Sequence, residues 1–188
     1  MSGGNVEYTN EVGAEVYEYL TPAGVATVPG GAPALYVGAN WNANGNYAAV
    51  TYFEKGPAAG ITWRIERLLV YIEDGGAIQA NGYGAGAALA NGILVQVRDN
   101  DGLVYDLTST VRIYQSRHWQ RLCYDFMLAP GTGGTTSLHG RWTFGKRGAP
   151  LRLKGSRGER LSVVLNDNLT FLSGHAFLVQ GEVEEVLR

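Results

Sequence analysis

The sequence predicts an all-β protein: an antiparallel β-sandwich, jelly-roll in type, with an extended N-terminal arm. Three observations predict it. Apolar residues recur at every second position in roughly eight to ten short runs, the period of half-buried strands. Clusters of Gly, Asn, Asp and Pro punctuate those runs roughly every 8–12 residues. Connections such as Gly75–Gly92 are longer than tight hairpins require and favour crossings between two sheets. No segment reads as a convincing helix.

Residues 1–46 form the expected arm. Thr21-Pro22, Val28-Pro29-Gly30-Gly31, Ala32-Pro33 and the stretch from Asn40 to Asn46 favour extended backbone and turns. Tyr8, Val12, Val16, Tyr17, Tyr19, Leu20, Leu35, Tyr36 and Trp41 are too many anchors for a free linker. The arm is therefore expected to lie on a surface, with a short helical turn at Glu11–Leu20. Residues 47–188 are assigned to the sandwich, beginning with a strand at Ala48–Phe53.

Trp63–Asp74 is the longest apolar run and the organising strand. Trp63 and Ile65 share one parity, whereas Leu68, Val70 and Ile72 share the other. One extra residue near Glu66–Arg67, a β-bulge, puts all five on a single core face. Leu69 and Tyr71 then cover the second face, which marks the strand as central. Farther on, Ile93, Val95 and Val97 are expected inward, with Leu94, Gln96 and Arg98 outward. Leu103, Tyr105 and Leu107 are also read as inward. A three-residue Asn100-Asp101-Gly102 loop pairs Val97 with Tyr105 and Val95 with Leu107, with Gly102 as the bulge residue.

Further strands are expected at Val111–Gln115, Trp119–Leu128, Leu138–Phe144, Pro150–Lys154, Leu161–Asn166 and His175–Val186. In the last of these, Phe177, Val179 and Val183 point inward, and Leu178, Gln180, Glu182 and Glu184 outward.

Composition narrows the function classes. A chain of 188 residues with a net charge of -2 fits one domain that neither coats nucleic acid nor behaves as an acidic disordered tail. Cys123 is the sole cysteine, which excludes an intrachain disulfide and a multi-cysteine zinc site. No leader and no apolar run of 18 residues is present, so a soluble protein made in a cytosol is expected, without membrane partners.

Motif by motif, structural explanations fit better than catalytic ones. Gly82-Tyr83-Gly84-Ala85-Gly86-Ala87 matches a loose dinucleotide fingerprint but leaves no room for the crossover helix. Gly131–Thr136 lacks the lysine of a phosphate loop. Asp99, Asn100 and Asp101, and Asn166, Asp167 and Asn168, are explained by turn chemistry better than by calcium. His118 and Cys123, five apart on an expected strand, fall on opposite faces, and His139 and His175 stand in separate segments. Glu66, Glu73 and Asp74 read as solvated outward acids rather than a glycosidase pair. No catalytic residue, cofactor or metal is assigned.

Charge is unevenly placed. Residues 1–55 carry Glu7, Glu11, Glu15, Glu18 and Glu54 against Lys55 alone. Residues 117–160 carry nine basic groups against Asp125 and Glu159. Such asymmetry points to complementary surfaces that meet within one molecule or between neighbours. The expected partner-binding residues are Glu7, Glu11, Glu15, Tyr17, Tyr19, Tyr36 and Trp41 of the arm, and Arg141, Lys146, Arg147, Arg152 and Lys154 of the basic band. Basic residues interleaved with Trp119, Trp142 and Phe144 could also hold single-stranded nucleic acid. The net negative charge and the scatter of those residues over several strands argue against it.

A glycine-rich, single-cysteine, all-β chain with a Pro/Gly-rich arm, a long apolar strand at Trp63–Asp74 and a final strand at Phe177–Val186 resembles the capsid decoration (cement) and minor virion proteins of tailed bacteriophages. That resemblance implies a non-enzymatic, oligomeric virion protein made in the host cytoplasm. Its partners would be the major capsid protein or other virion subunits, met at capsomer junctions where the arm clasps a neighbour. The alternative is a carbohydrate-binding sandwich of the tail-fibre or lectin kind, with Trp41, Tyr47 and Tyr83 as exposed sugar platforms.

Overall fold

The computed structural model describes residues 12–22, 51–108, 112–130, 136–144, 149–169 and 171–186. Among these residues eleven strands, one short α-helix and a 3-10 turn at Gly155–Arg157 follow in chain order, beginning with β1 (Glu15–Tyr19), β2 (Thr21–Pro22), β3 (Thr51–Lys55), β4 (Ile61–Asp74), β5 (Ile93–Arg98) and β6 (Leu103–Asp106). Then come α1 (Ser116–Leu122), β7 (Asp125–Pro130), β8 (Thr136–Thr143), β9 (Leu151–Lys154), β10 (Arg160–Leu165) and β11 (Gly174–Val186). They build two antiparallel sheets packed face to face, so the expected all-β sandwich is what the chain forms. The six-stranded sheet runs β1-β11-β4-β8-β7, with β9 also on β4, and the five-stranded sheet runs β2-β3-β10-β5-β6.

β4 is central, with β11 along one edge and β8 and β9 along the other. Arg67 pairs with Gln180 and Ile65 with Gly181, which leaves Glu66 as the extra residue of a bulge. Trp63, Ile65, Leu68, Val70 and Ile72 consequently all lie in the core. Gly181 is required opposite the bulge, because a Cβ there would collide with the Arg64 carbonyl. Between the sheets, the Phe53 ring meets Phe177 edge-on at 5.6 Å and His175 at 5.4 Å, while Trp119 lies 6.1 Å from Phe177.

Several expectations are corrected. Residues 15–22 of the expected arm belong to the sandwich, and the helical turn expected at Glu11–Leu20 is a strand. β1 pairs with β11, β2 pairs with β3, and the intervening Leu20 is fully buried as the chain passes between sheets. Trp119–Leu128 is not one strand. Ser116–Leu122 is a helix because Trp119 and Cys123, four residues apart, share the buried side, while Arg117, Gln120 and Arg121 stay exposed. His118 thus sits on the helix, and Cys123 closes it by donating its N–H to the Trp119 carbonyl at 2.8 Å.

The β5–β6 hairpin keeps the expected pairing of Val97 with Tyr105, and Leu107 N–H bonds the Val95 carbonyl at 2.9 Å. Its tip differs. The Asp99 N–H donates to the Gly102 carbonyl at 2.9 Å, and Arg98 pairs with Leu103, so the extra residue is Val104. The Asp99 carboxylate accepts from the Asp101 and Gly102 N–H groups, and Gly102 supplies a positive φ of 129°. Leu103 and Tyr105 are exposed rather than inward, because β6 ends its sheet. Leu178 keeps its expected outward parity but is 4% exposed, in register with Tyr19 of β1 and Leu69 of β4.

Candidate binding groove

Across the outward side of the six-stranded sheet, register aligns Tyr19, Leu178, Leu69, Arg141 and Asp125 in one row over five strands. The next row holds Ala176, Tyr71, His139 and Met127. With Tyr17 and Phe126 these residues line a groove of about 520 Å³. Its floor is apolar because Leu69, Tyr71 and Leu178 occupy the parity of their strands that points away from the core.

A few polar groups are fixed in this apolar setting. Arg141 and Asp125 form an ion pair. The Tyr71 hydroxyl donates to Glu73 Oε2 at 3.0 Å, and its ring meets His139 edge-on at 4.9 Å. His139 Nε2 lies 3.0 Å from Ser137 Oγ, and burial pushes the imidazole pKa down. Burial, followed by the neighbouring Tyr17, raises the Tyr19 phenol.

The structure brings Tyr17, Tyr19 and Arg141 together in this groove. Glu15, Arg152 and Lys154 lie elsewhere, where β1, β11, β4 and β9 run side by side. There Arg152 grips Glu184 with Nε and Nη2 at 2.7–2.9 Å, and its hydrogen bonds hold the Glu184 carboxyl below its usual range. Arg64 reaches Glu66 and Glu182 at 2.9 and 3.0 Å. The acids paired here come from β4 and β11, whereas the acidic residues 1–55 meet the basic segment 117–160 at Glu54 and Arg160, on the five-stranded sheet. Glu7, Glu11, Tyr36, Trp41, Lys146 and Arg147 lie outside the described residues.

Sequence reasoning did not single out Asp125, Phe126, Met127, His139, Ala176 or Leu178 as groove residues. The available signal was apolar residues at outward parity on adjacent strands: Tyr19, Leu178 and Leu69.

Other singled-out motifs have structural duties. Asp167 is buried, and its carboxylate accepts the backbone N–H groups of Ala90, Asn91 and Gly92 at 2.7–3.1 Å, clamping the start of β5. Tyr83 is fully buried and accepts from Trp119 Nε1 at 3.1 Å, so it is no exposed sugar platform. Trp41 and Tyr47 are outside the described residues. Burial pushes the Cys123 thiol up to about 12, away from nucleophilic use. Compared with protein-family models, curated proteins and solved structures, the chain has no match.

Proposed function

We propose that the chain is a non-enzymatic structural subunit of a virion, a single jelly roll that binds and stabilises a capsid through protein–protein contacts at capsomer junctions. The observation that carries this reading is the strand order. One sheet runs through the first, eleventh, fourth and eighth strands, and the other through the third, tenth, fifth and sixth. Such interleaving is how two Greek keys wind into a jelly roll, an architecture frequent among capsid proteins.

Exposed edges supply the contact surface. Leu103 and Val104 on β6 are 55% and 41% exposed, and Met127 and Leu128 on β7 are 55% and 50% exposed. Each of these strands ends its sheet, and an apolar edge is a template for another chain. The subunit would meet capsid or like subunits there, after synthesis in the host cytoplasm.

Density-gradient fractionation of virions from cells that make the chain tests this. The protein should travel with the particles, and Val104→Lys with Leu128→Lys should release it without lowering its melting temperature. A chain found only at the top of the gradient would overturn the proposal.

A further inference from the structure

We infer that the groove on the outward side of the six-stranded sheet is a binding site for an uncharged oligosaccharide. Its volume of about 520 Å³ lies within the roughly 300–1,000 Å³ typical of ligand sites. Another cavity among the described residues, beside Lys55 and Trp63, is smaller, at about 330 Å³.

The lining selects the ligand chemistry. Tyr17, 40% exposed, lines the groove together with Tyr19 and Tyr71. Aromatic rings of this kind offer apolar faces with a polar edge. Asp125, Arg141 and His139 supply planar donors and acceptors within the same space. A purely apolar ligand would strip water from those three groups and return no hydrogen bonds, which is costly. A fully polar ligand would waste the tyrosine and leucine surface.

Charge narrows the choice further. Asp125 and Arg141 already pair with each other, and burial disfavours a charge on His139. An anionic ligand at Arg141 would meet the Asp125 carboxylate, and a cationic one at Asp125 would meet the Arg141 guanidinium, so neither charge is favoured. What remains is an uncharged molecule with apolar C–H faces and a rim of hydroxyls, which describes a pyranose chain. This inference does not rest on the virion proposal, and gradient fractionation would stand whatever its outcome.

The test has two stages. First, a glycan array carrying uncharged, sialylated and sulfated oligosaccharides is probed with the intact chain; uncharged members should bind. Second, the best uncharged oligosaccharide is titrated into protein labelled at its methionine methyls. The chain has two methionines, Met1 and Met127, and the Met127 methyl alone should shift. Tyr17→Ala should weaken binding roughly tenfold or more, whereas Tyr124→Ala, at a position 68% exposed and outside the groove, should not. The inference is overturned by an array with no uncharged binder or with charged glycans preferred. It is equally overturned if Met127 is silent, if Tyr17→Ala binds at full strength, or if a fluorescent fatty acid occupies the groove and no oligosaccharide displaces it.

Discussion

On the outward side of the five-stranded sheet, Glu54 accepts from Arg160 Nε and Ser162 Oγ, both at 2.6 Å. Arg98 bonds Gln96 at 3.3 Å and lies 4.7 Å over the Tyr52 ring. On the outward side of the six-stranded sheet, the matching positions are Leu69, Leu178, Tyr71, Ala176 and Met127. Both faces arise from the same two-residue period, and both sheets hide their other side in one core. The polar face is mostly self-paired among the described residues, although Arg98 Nε is buried without a hydrogen bond and lies 3.9 Å from Glu54, so further contact would gain little. Among the described residues the apolar face is less finished, because Tyr17 and Met127 at its rim are 40% and 55% exposed. Completion, more than charge, separates a structural face from one available to a ligand.

Four measurements would break or sharpen that contrast. The largest effect belongs to the core behind both faces. Burial pushes His175 down to about 4 from 6.5, so the folded state resists a proton that the unfolded chain accepts. Stability should be unaffected above pH 6.5 and fall by about 3 kcal/mol as pH drops to 4. Melting curves of the wild type and His175→Leu, compared across that range, should converge in slope only if another group is responsible.

Next, Glu54→Ala strands Ser162, which is fully buried, and leaves Arg160 with the Gly158 carbonyl in place of its carboxylate. A loss of about 2 kcal/mol is expected by urea denaturation, and an unchanged midpoint would mean that the polar face is ornamental to stability. Third, Val70→Ala on the core side of β4 should cost roughly 1.5 kcal/mol, and Leu69→Ala on the groove side less than about 1. Equal losses would show the groove floor to be core. The smallest effect is expected for Met127→Ser, within about 0.5 kcal/mol of wild type by thermal melt. A larger change would make β7 a structural element instead of an open rim.

Much of this was readable from residue order. The parity change between Ile65 and Leu68 called for a bulge, and Glu66 is that bulge. Leu69 and Tyr71 were assigned to a second face, which became the floor of the groove. What could not be read depends on pairing between distant strands. Leu178 looked solvent-facing until β1 was placed beside β11, and Tyr17 and Tyr19 looked like arm residues until the same pairing set them on the sheet. Trp119 to Cys123 suits either period over so short a span, and packing against Tyr83 and Phe177 decided for a helix. Asp125 and Arg141 are adjacent only through the β7–β8 register, which local alternation cannot set.

The pairing of β4 with β11 carries a consequence for the chain as it is made. Gln180, which bonds Arg67, follows it by 113 residues. At roughly 5–20 residues per second, a ribosome needs on the order of 6–20 s to deliver the partner of the most apolar strand. During that interval one whole edge of β4 stays open. The growing protein is therefore most vulnerable to aggregation midway through translation, and slowing elongation after β4 should lower soluble yield more than slowing it before β4.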